Sequence, residues 1–274
     1  MGTEAQPSRP GNYKVQARTY DLTRGASPTV VRALAKFLGP AEGRLLLDIA
    51  GGTGNYAQVF AARGFRVLVV DAEPEMLFHA ARKLGPGRTL AGDAGLLPLE
   101  DRAGDCAVMV NAMHLLNDPP AALREVRRVL RVGPLVLTSF TKENMASLFV
   151  YEYFGLSEPI TPRPPADEVV RLLKDAGFGR VEHEAYVYTD TVDGSLNALH
   201  TDPLRLAGPA YLRNTSFWHR LDEMTRRVGL EALAQDLRSG VLEKRVKESL
   251  RLAVERGHGT VFAAWPWTQR GIFE

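Results

Sequence analysis

The chain has 274 residues, 45% of them hydrophobic and 24% charged, an ordinary globular composition that excludes disordered, collagen-like and coiled-coil architectures. Its 34 Lys+Arg stand against 32 Asp+Glu, and a net charge of +2 offers no electrostatic footprint for nucleic acid. No stretch approaches the roughly 18 apolar residues of a membrane span, the first residues lack the apolar core of a secretory signal, and the single cysteine, Cys106, reads as a buried thiol in a reducing cytoplasm.

In chain order, a helical pattern at 28–38 precedes an alternation of short apolar runs and amphipathic stretches. Strands are expected at 44–50, 66–71, 88–92, 106–111 and 134–140, with helices at 55–63, 74–84 and 119–131 between them. The helix from Pro119 has the strongest start signal, with Asp118 as N-cap and Pro119 in the first position. This alternation predicts a doubly wound, largely parallel α/β sheet. Beyond it lie an aromatic and then proline-rich stretch at 145–165, a helix at 165–176, a strand at 180–188 and a last strand at 259–265. Some 70 residues between those two strands are patterned as helices. Phe217, Trp218, Leu221, Met224 and Val228 are expected on one face, with helix stops at Gly240 and Gly257. We expect a single domain over 1–274. Its core is approximately 28–141, 165–190 and 258–267, and its cap approximately 1–27, 142–164 and 191–257.

The segment Leu45-Leu46-Leu47-Asp48-Ile49-Ala50-Gly51-Gly52-Thr53-Gly54 joins a buried strand, an acid and a glycine turn to a following helix. Glycines let the backbone approach a ligand, and the helix start supplies free N–H groups, so a nucleotide-like group is expected there. Asp71 closes the second strand, where a carboxylate can accept from ribose hydroxyls, and Gly92-Asp93-Ala94 closes the third. By itself Gly52-x-Gly54-x-x-Ala57 also satisfies the dinucleotide pattern of NAD-dependent oxidoreductases. No Tyr-x-x-x-Lys pair or other hydride-transfer site accompanies it.

Asp48 to Gly54, Asp71, Gly92-Asp93 and the strand end Asn111-Ala112-Met113-His114 together resemble the ordered motifs of class I S-adenosylmethionine-dependent methyltransferases. The Ala50-Gly51-Gly52-Thr53-Gly54 form is most similar to the branch containing ubiquinone/menaquinone-biosynthesis C-methyltransferases. The resemblance covers about residues 20–190 and the last strand. It implies a Rossmann-like seven-stranded sheet, parallel with one antiparallel strand, carrying a helical cap. It also implies S-adenosyl-L-methionine as cofactor and S-adenosyl-L-homocysteine as product. Asp48 and Gly52 to Gly54 would then face the methionine end, Asp71 the ribose, Asp93 and Ala94 the adenine, and Asn111 the region near the sulfonium, with Ala50, Gly51 and Ala72 also counted as cofactor-binding.

The expected acceptor is a small, largely apolar or aromatic metabolite under the cap, with Tyr151, Phe217 and Trp218 as candidate contacts. His114 is the first candidate for a general base, against the reading that it only shapes the pocket, and Tyr20 is the second. His200 and His219 fall in the cap, and no histidine pairs at metal-ligand spacing, so no metal is expected. The anticipated partner is a small molecule met by a monomer or homodimer. A cofactor-binding protein without transfer activity is the non-enzyme alternative.

Overall fold

In a computed structural model of the chain, residues 13–157 and 163–266 are described. The expectations that touch 1–12, 158–162 and position 267 lie outside those residues. Seven strands form one sheet: β1 (Leu45–Ile49), β2 (Arg66–Asp71), β3 (Thr89–Ala91), β4 (Cys106–Val110), β5 (Leu135–Ser139), β6 (Phe178–Tyr186) and β7 (Gly259–Pro266), in the order β3-β2-β1-β4-β5-β7-β6. β1 to β5 run parallel, and β7 is antiparallel to both β5 and β6. The sheet is thus the Rossmann-like one expected, with one strand reversed.

Near-continuous apolar strands are what a sheet covered on both faces demands. Alternate residues divide between two cores. Leu46, Val69, Val108, Val136 and Val261 pack into one, while Leu47, Val70, Met109, Leu137 and Phe262 pack into the other. The first core receives α1 (Pro28–Leu38) and α2 (Asn55–Ala62), with part of α3 (Pro74–Leu84); the second receives α4 (Pro119–Val129) and α5 (Ala166–Asp175). The start signal at Asp118 works as read, and Ser27, which the sequence reading did not select, caps α1 in the same way. Ser27 Oγ accepts from the Val30 N–H at 3.3 Å, and Asp118 Oδ1 accepts from the Ala121 N–H at 2.9 Å.

Two elements differ from expectation. The strand placed at 180–188 begins at Phe178, because Gly177 (φ +95°) ends α5 and Phe178 then pairs at once with Pro266. The single helix face drawn through Phe217 to Val228 is broken. A 3₁₀ turn at Trp218–Arg220 stops at Leu221, and α6 (Glu223–Ser239) starts afresh where Asp222 Oδ1 accepts from the Thr225 N–H at 2.8 Å. Phe217, Trp218 and Leu221 stay buried, but Met224 and Val228 are 60% and 52% exposed, so they cover no core. Gly240 (φ +75°) separates α6 from α7 (Val241–Arg256), and Gly257 ends α7 as expected. Among the described residues no helix is long and apolar enough to cross a membrane.

Candidate active site

A cavity of about 770 Å³ opens at the carboxyl ends of β1, β2 and β4. The sheet order reverses between β1 and β4, the place where open α/β sheets leave a crevice for ligands, and the volume lies within the roughly 300–1,000 Å³ of small-molecule sites. Its floor is the turn after β1. Asp48 is 1% exposed, and neither carboxylate oxygen has a hydrogen-bond partner among the described residues. Burial, and then repulsion from Asp71, push this carboxyl up to about 7; the nearby Ala57 N–H offsets only part of the rise. Gly51 makes room for it, since a Cβ there would lie 2.6 Å from Asp48 Cγ.

Asp71 braces the same turn. Its Oδ2 accepts from the Gly52 N–H and its Oδ1 from the Glu73 N–H, both at 2.8 Å. At the end of β3, Asp93 Oδ1 accepts from the Gly95 N–H at 2.8 Å. Asp48, Ala50, Gly51, Gly52, Asp71, Ala72, Asp93, Ala94 and Asn111 all line the cavity. Gly54 does not. It takes φ +74° at the start of α2, and a Cβ there would crowd Ala80 of α3 at 3.1 Å, so its work is close helix packing behind the wall. Two non-glycine residues, Ala50 (φ +53°) and Asn111 (φ +51°), are held in left-handed backbone at the wall.

A helical turn at Tyr20–Thr23 is tied over the glycine turn. Asp21 Oδ1 accepts from Thr53 Oγ1 (2.7 Å) and Asn55 Nδ2 (3.1 Å), and its Oδ2 pairs with Lys83 Nζ at 2.7 Å. Burial alone would raise the Asp21 carboxyl, but its bonds to Lys83, Thr53 and Asn55 outweigh that and hold it below its usual range. Beside it, Arg24 Nε pairs with Asp193 at 3.0 Å, and Asp193 Oδ2 also accepts from Tyr56 Oη (3.2 Å) and Asn111 Nδ2 (3.3 Å). Asp193 is 3% exposed and lines the cavity, yet the sequence reading did not select it. Its partners lie up to 169 residues away in the chain, and only a turn-like Asp193-Gly194 marks it locally.

Tyr20, His114, Tyr151 and Phe217 reach the cavity wall. The Tyr151 and Phe217 rings meet edge-to-face at 5.1 Å. Trp218 does not reach the wall; it packs edge-to-face behind Phe154 at 6.2 Å, with the Arg226 guanidinium over its ring. His219 lines the cavity, whereas His200 is wholly buried away from it, with Nδ1 2.7 Å from the Leu196 carbonyl and its pKa pushed down to about 3, mainly by burial. His114 Nδ1 is buried without a partner. Burial first, then Arg163, Arg24 and Arg220, hold its imidazole well below the usual histidine range. Burial keeps the Tyr20 hydroxyl above its usual range against the pull of Arg24.

Residues 47–138 match a family model described as a methyltransferase domain. The chain is 30% identical over 180 residues, 55% of its own length and 72% of the relative's, to the ubiquinone/menaquinone biosynthesis C-methyltransferase of Paracoccus denitrificans. The chain belongs to the S-adenosylmethionine-dependent methyltransferases. This methyltransferase is also 33% identical over 123 residues, 45% of the chain and 48% of the relative, to a malonyl-[acyl-carrier protein] O-methyltransferase of Serratia marcescens. Its fold matches a methyltransferase structure from Anabaena variabilis with a TM-score of 0.74 at 23% identity, covering 88% of this chain and 98% of that one. The methyltransferase uses S-adenosylmethionine, which decides against the dinucleotide reading of Gly52 to Ala57. The site fits that group: an orphaned, deeply buried carboxyl at Asp48 and a floor kept bare of side chains at Gly51 suit a ligand bearing positive charge.

Proposed function

We propose that this methyltransferase acts on a small, largely apolar or aromatic metabolite that lies against Tyr151 and Phe217. The observation that supports this reading is the two-sided cavity, with strand-end carboxylates along one wall and an edge-to-face aromatic pair on another. In our reading Asp48, Gly51 and Gly52 hold the methionine end of the cofactor, Asp71 and Ala72 its ribose, Asp93 and Ala94 its adenine, and Asn111 borders the sulfonium. When bound, the cofactor supplies a methyl group already activated for displacement. The chain's own tasks are therefore alignment, exclusion of water and, for a weak nucleophile, removal of a proton.

The Tyr20–Thr23 turn and the 190–195 loop are joined at the cavity wall through Arg24 and Asp193, and in our reading they shield the reacting groups from water. His114 is the proton acceptor in this scheme. It is neutral at pH 7, as a base must be, but weak, because burial and three guanidiniums oppose its charging. Tyr20 keeps its proton and so serves as a hydrogen-bond donor rather than the second base. The cap segments 142–164 and 191–257 choose the acceptor.

A turnover screen with isotopically labelled methyl donor against a metabolite panel, read by mass spectrometry, tests the reading. Tyr151→Ala and Phe217→Ala should lower acceptor kcat/KM by at least tenfold and leave S-adenosylhomocysteine affinity within about threefold. Loss of cofactor affinity with an unchanged acceptor profile would refute it.

A further inference from the structure

The charges around the cavity are unevenly matched. Lys14 pairs with Glu75 at 3.4 Å and Arg24 with Asp193 at 3.0 Å. Arg163 and Arg220 also line the cavity, and neither pairs with a carboxylate among the described residues. Arg163 is the sharper case: its Nε and Nη1 are buried and have no hydrogen-bond partner among the described residues. Orphaned N–H groups on a buried cation are costly, and a guanidinium, unlike a histidine, does not shed its charge to escape the cost. Arg220 stands close enough to add to the positive field at both Arg163 and His114. Tyr151 shares this part of the wall, and its hydroxyl is pushed up to about 12 by burial, so it supplies no anion.

We propose that the acceptor carries an oxyanion, a carboxylate or a phosphate, seated on the unpartnered N–H groups of Arg163 with Arg220 beside it, while its apolar body lies on Tyr151 and Phe217. The guanidinium N–H groups make charge-assisted hydrogen bonds to either oxyanion, shorter and stronger than those a neutral acceptor receives. The inference rests on the methyltransferase reading of the cavity and narrows it from an apolar metabolite to an amphiphilic, anionic one. It also makes His114 a better base: burial is the larger cause of its suppressed protonation, but an oxyanion on Arg163 offsets the part due to the guanidiniums.

The test is calorimetric titration of the full chain. Affinity for S-adenosylhomocysteine is measured first, and failure to bind it would sink the cofactor reading itself. The loaded protein is then titrated with benzoate, phenyl phosphate and, as the neutral counterpart, benzamide. At least one anion should bind ten or more times tighter than benzamide, and the tighter of the two identifies the oxyanion. Arg163→Met should bring that preference within about twofold while S-adenosylhomocysteine affinity stays within about twofold. Its Tm should not fall, since a buried cation without a partner has been removed. Arg220→Met, at an exposed position, provides a second variant and should reduce the preference about threefold. Equal binding of benzamide, or no binding of either anion, overturns the proposal. So does an Arg163→Met protein that keeps the preference but loses tenfold in S-adenosylhomocysteine affinity, because the guanidinium would then serve the carboxylate of the cofactor.

Discussion

Asp48→Asn separates the cost of the cofactor site from its use. The wild-type carboxyl is 1% exposed, has no hydrogen-bond partner among the described residues, and is pushed up to about 7 from an ordinary 3.8 by burial and by Asp71. The sign follows from proton uptake. Between pH 4 and 7 the folded state keeps a proton that the unfolded state has released, so Asp48 makes stability fall as pH rises through that window. A shift of about three units, at ~1.36 kcal/mol each, sets the cost above pH 7 at up to about 4 kcal/mol. That is a large part of the ~5–15 kcal/mol that stabilises a typical domain. Asparagine has the same shape and never ionises. Urea unfolding of the cofactor-free protein should therefore give Asp48→Asn an advantage that grows from about 1–2 kcal/mol at pH 5 to about 4 kcal/mol at pH 8. All other titrating groups are shared and cancel in the difference. S-adenosylhomocysteine should bind the variant at least tenfold more weakly, because the charge that the fold maintains at a loss is the one the ligand meets. A stability difference that does not change between pH 5 and 8, or a variant less stable at pH 8, would refute the burial argument.

Asp71→Ala should weaken S-adenosylhomocysteine binding by about 1.5–3 kcal/mol in calorimetric titration, and should also cost about 1–2 kcal/mol of stability by urea unfolding, because the Gly52 and Glu73 N–H groups lose their acceptor. Ala50→Gly should stabilise by up to about 1 kcal/mol, since φ at this position is +53°, and a lower Tm would contradict the strain. His114→Ala should lower kcat by roughly 10²- to 10⁴-fold with cofactor affinity within a few-fold. Because its imidazole is held well below the usual range, the acidic limb of the wild-type kcat profile should fall below pH 6.5 and vanish in the variant; a limb that persists assigns the proton to another group.

Sequence alone determined what depends on near neighbours along the chain. The strand–glycine–helix turn at 45–57, the acids that end the second and third strands, the Asp118 cap and the short apolar runs are each written within about a dozen residues. The seven-stranded sheet and the cofactor edge were implied by the resemblance that these ordered motifs carry, and the structure shows that sheet. Gly54 shows the limit of that reading: a motif glycine signals positive φ, but whether it faces ligand or a neighbouring helix depends on where Ala80 comes to rest. The cap shows it further. Hydrophobic spacing placed Phe217, Trp218, Met224 and Val228 on one stripe, yet the Asp222 cap restarts the helix, so the first two are buried, the last two face solvent, and Trp218 packs behind the wall that Phe217 forms. Periodicity reports that a face is apolar and not what will cover it. Only the tertiary structure decided the electrostatics of the acceptor side. Arg24 meets Asp193 across 169 positions, and Arg163 and Arg220 converge on His114 from separate segments of the cap. These side chains carry no local signature, because their strength comes from the desolvation they share once the chain has closed around them.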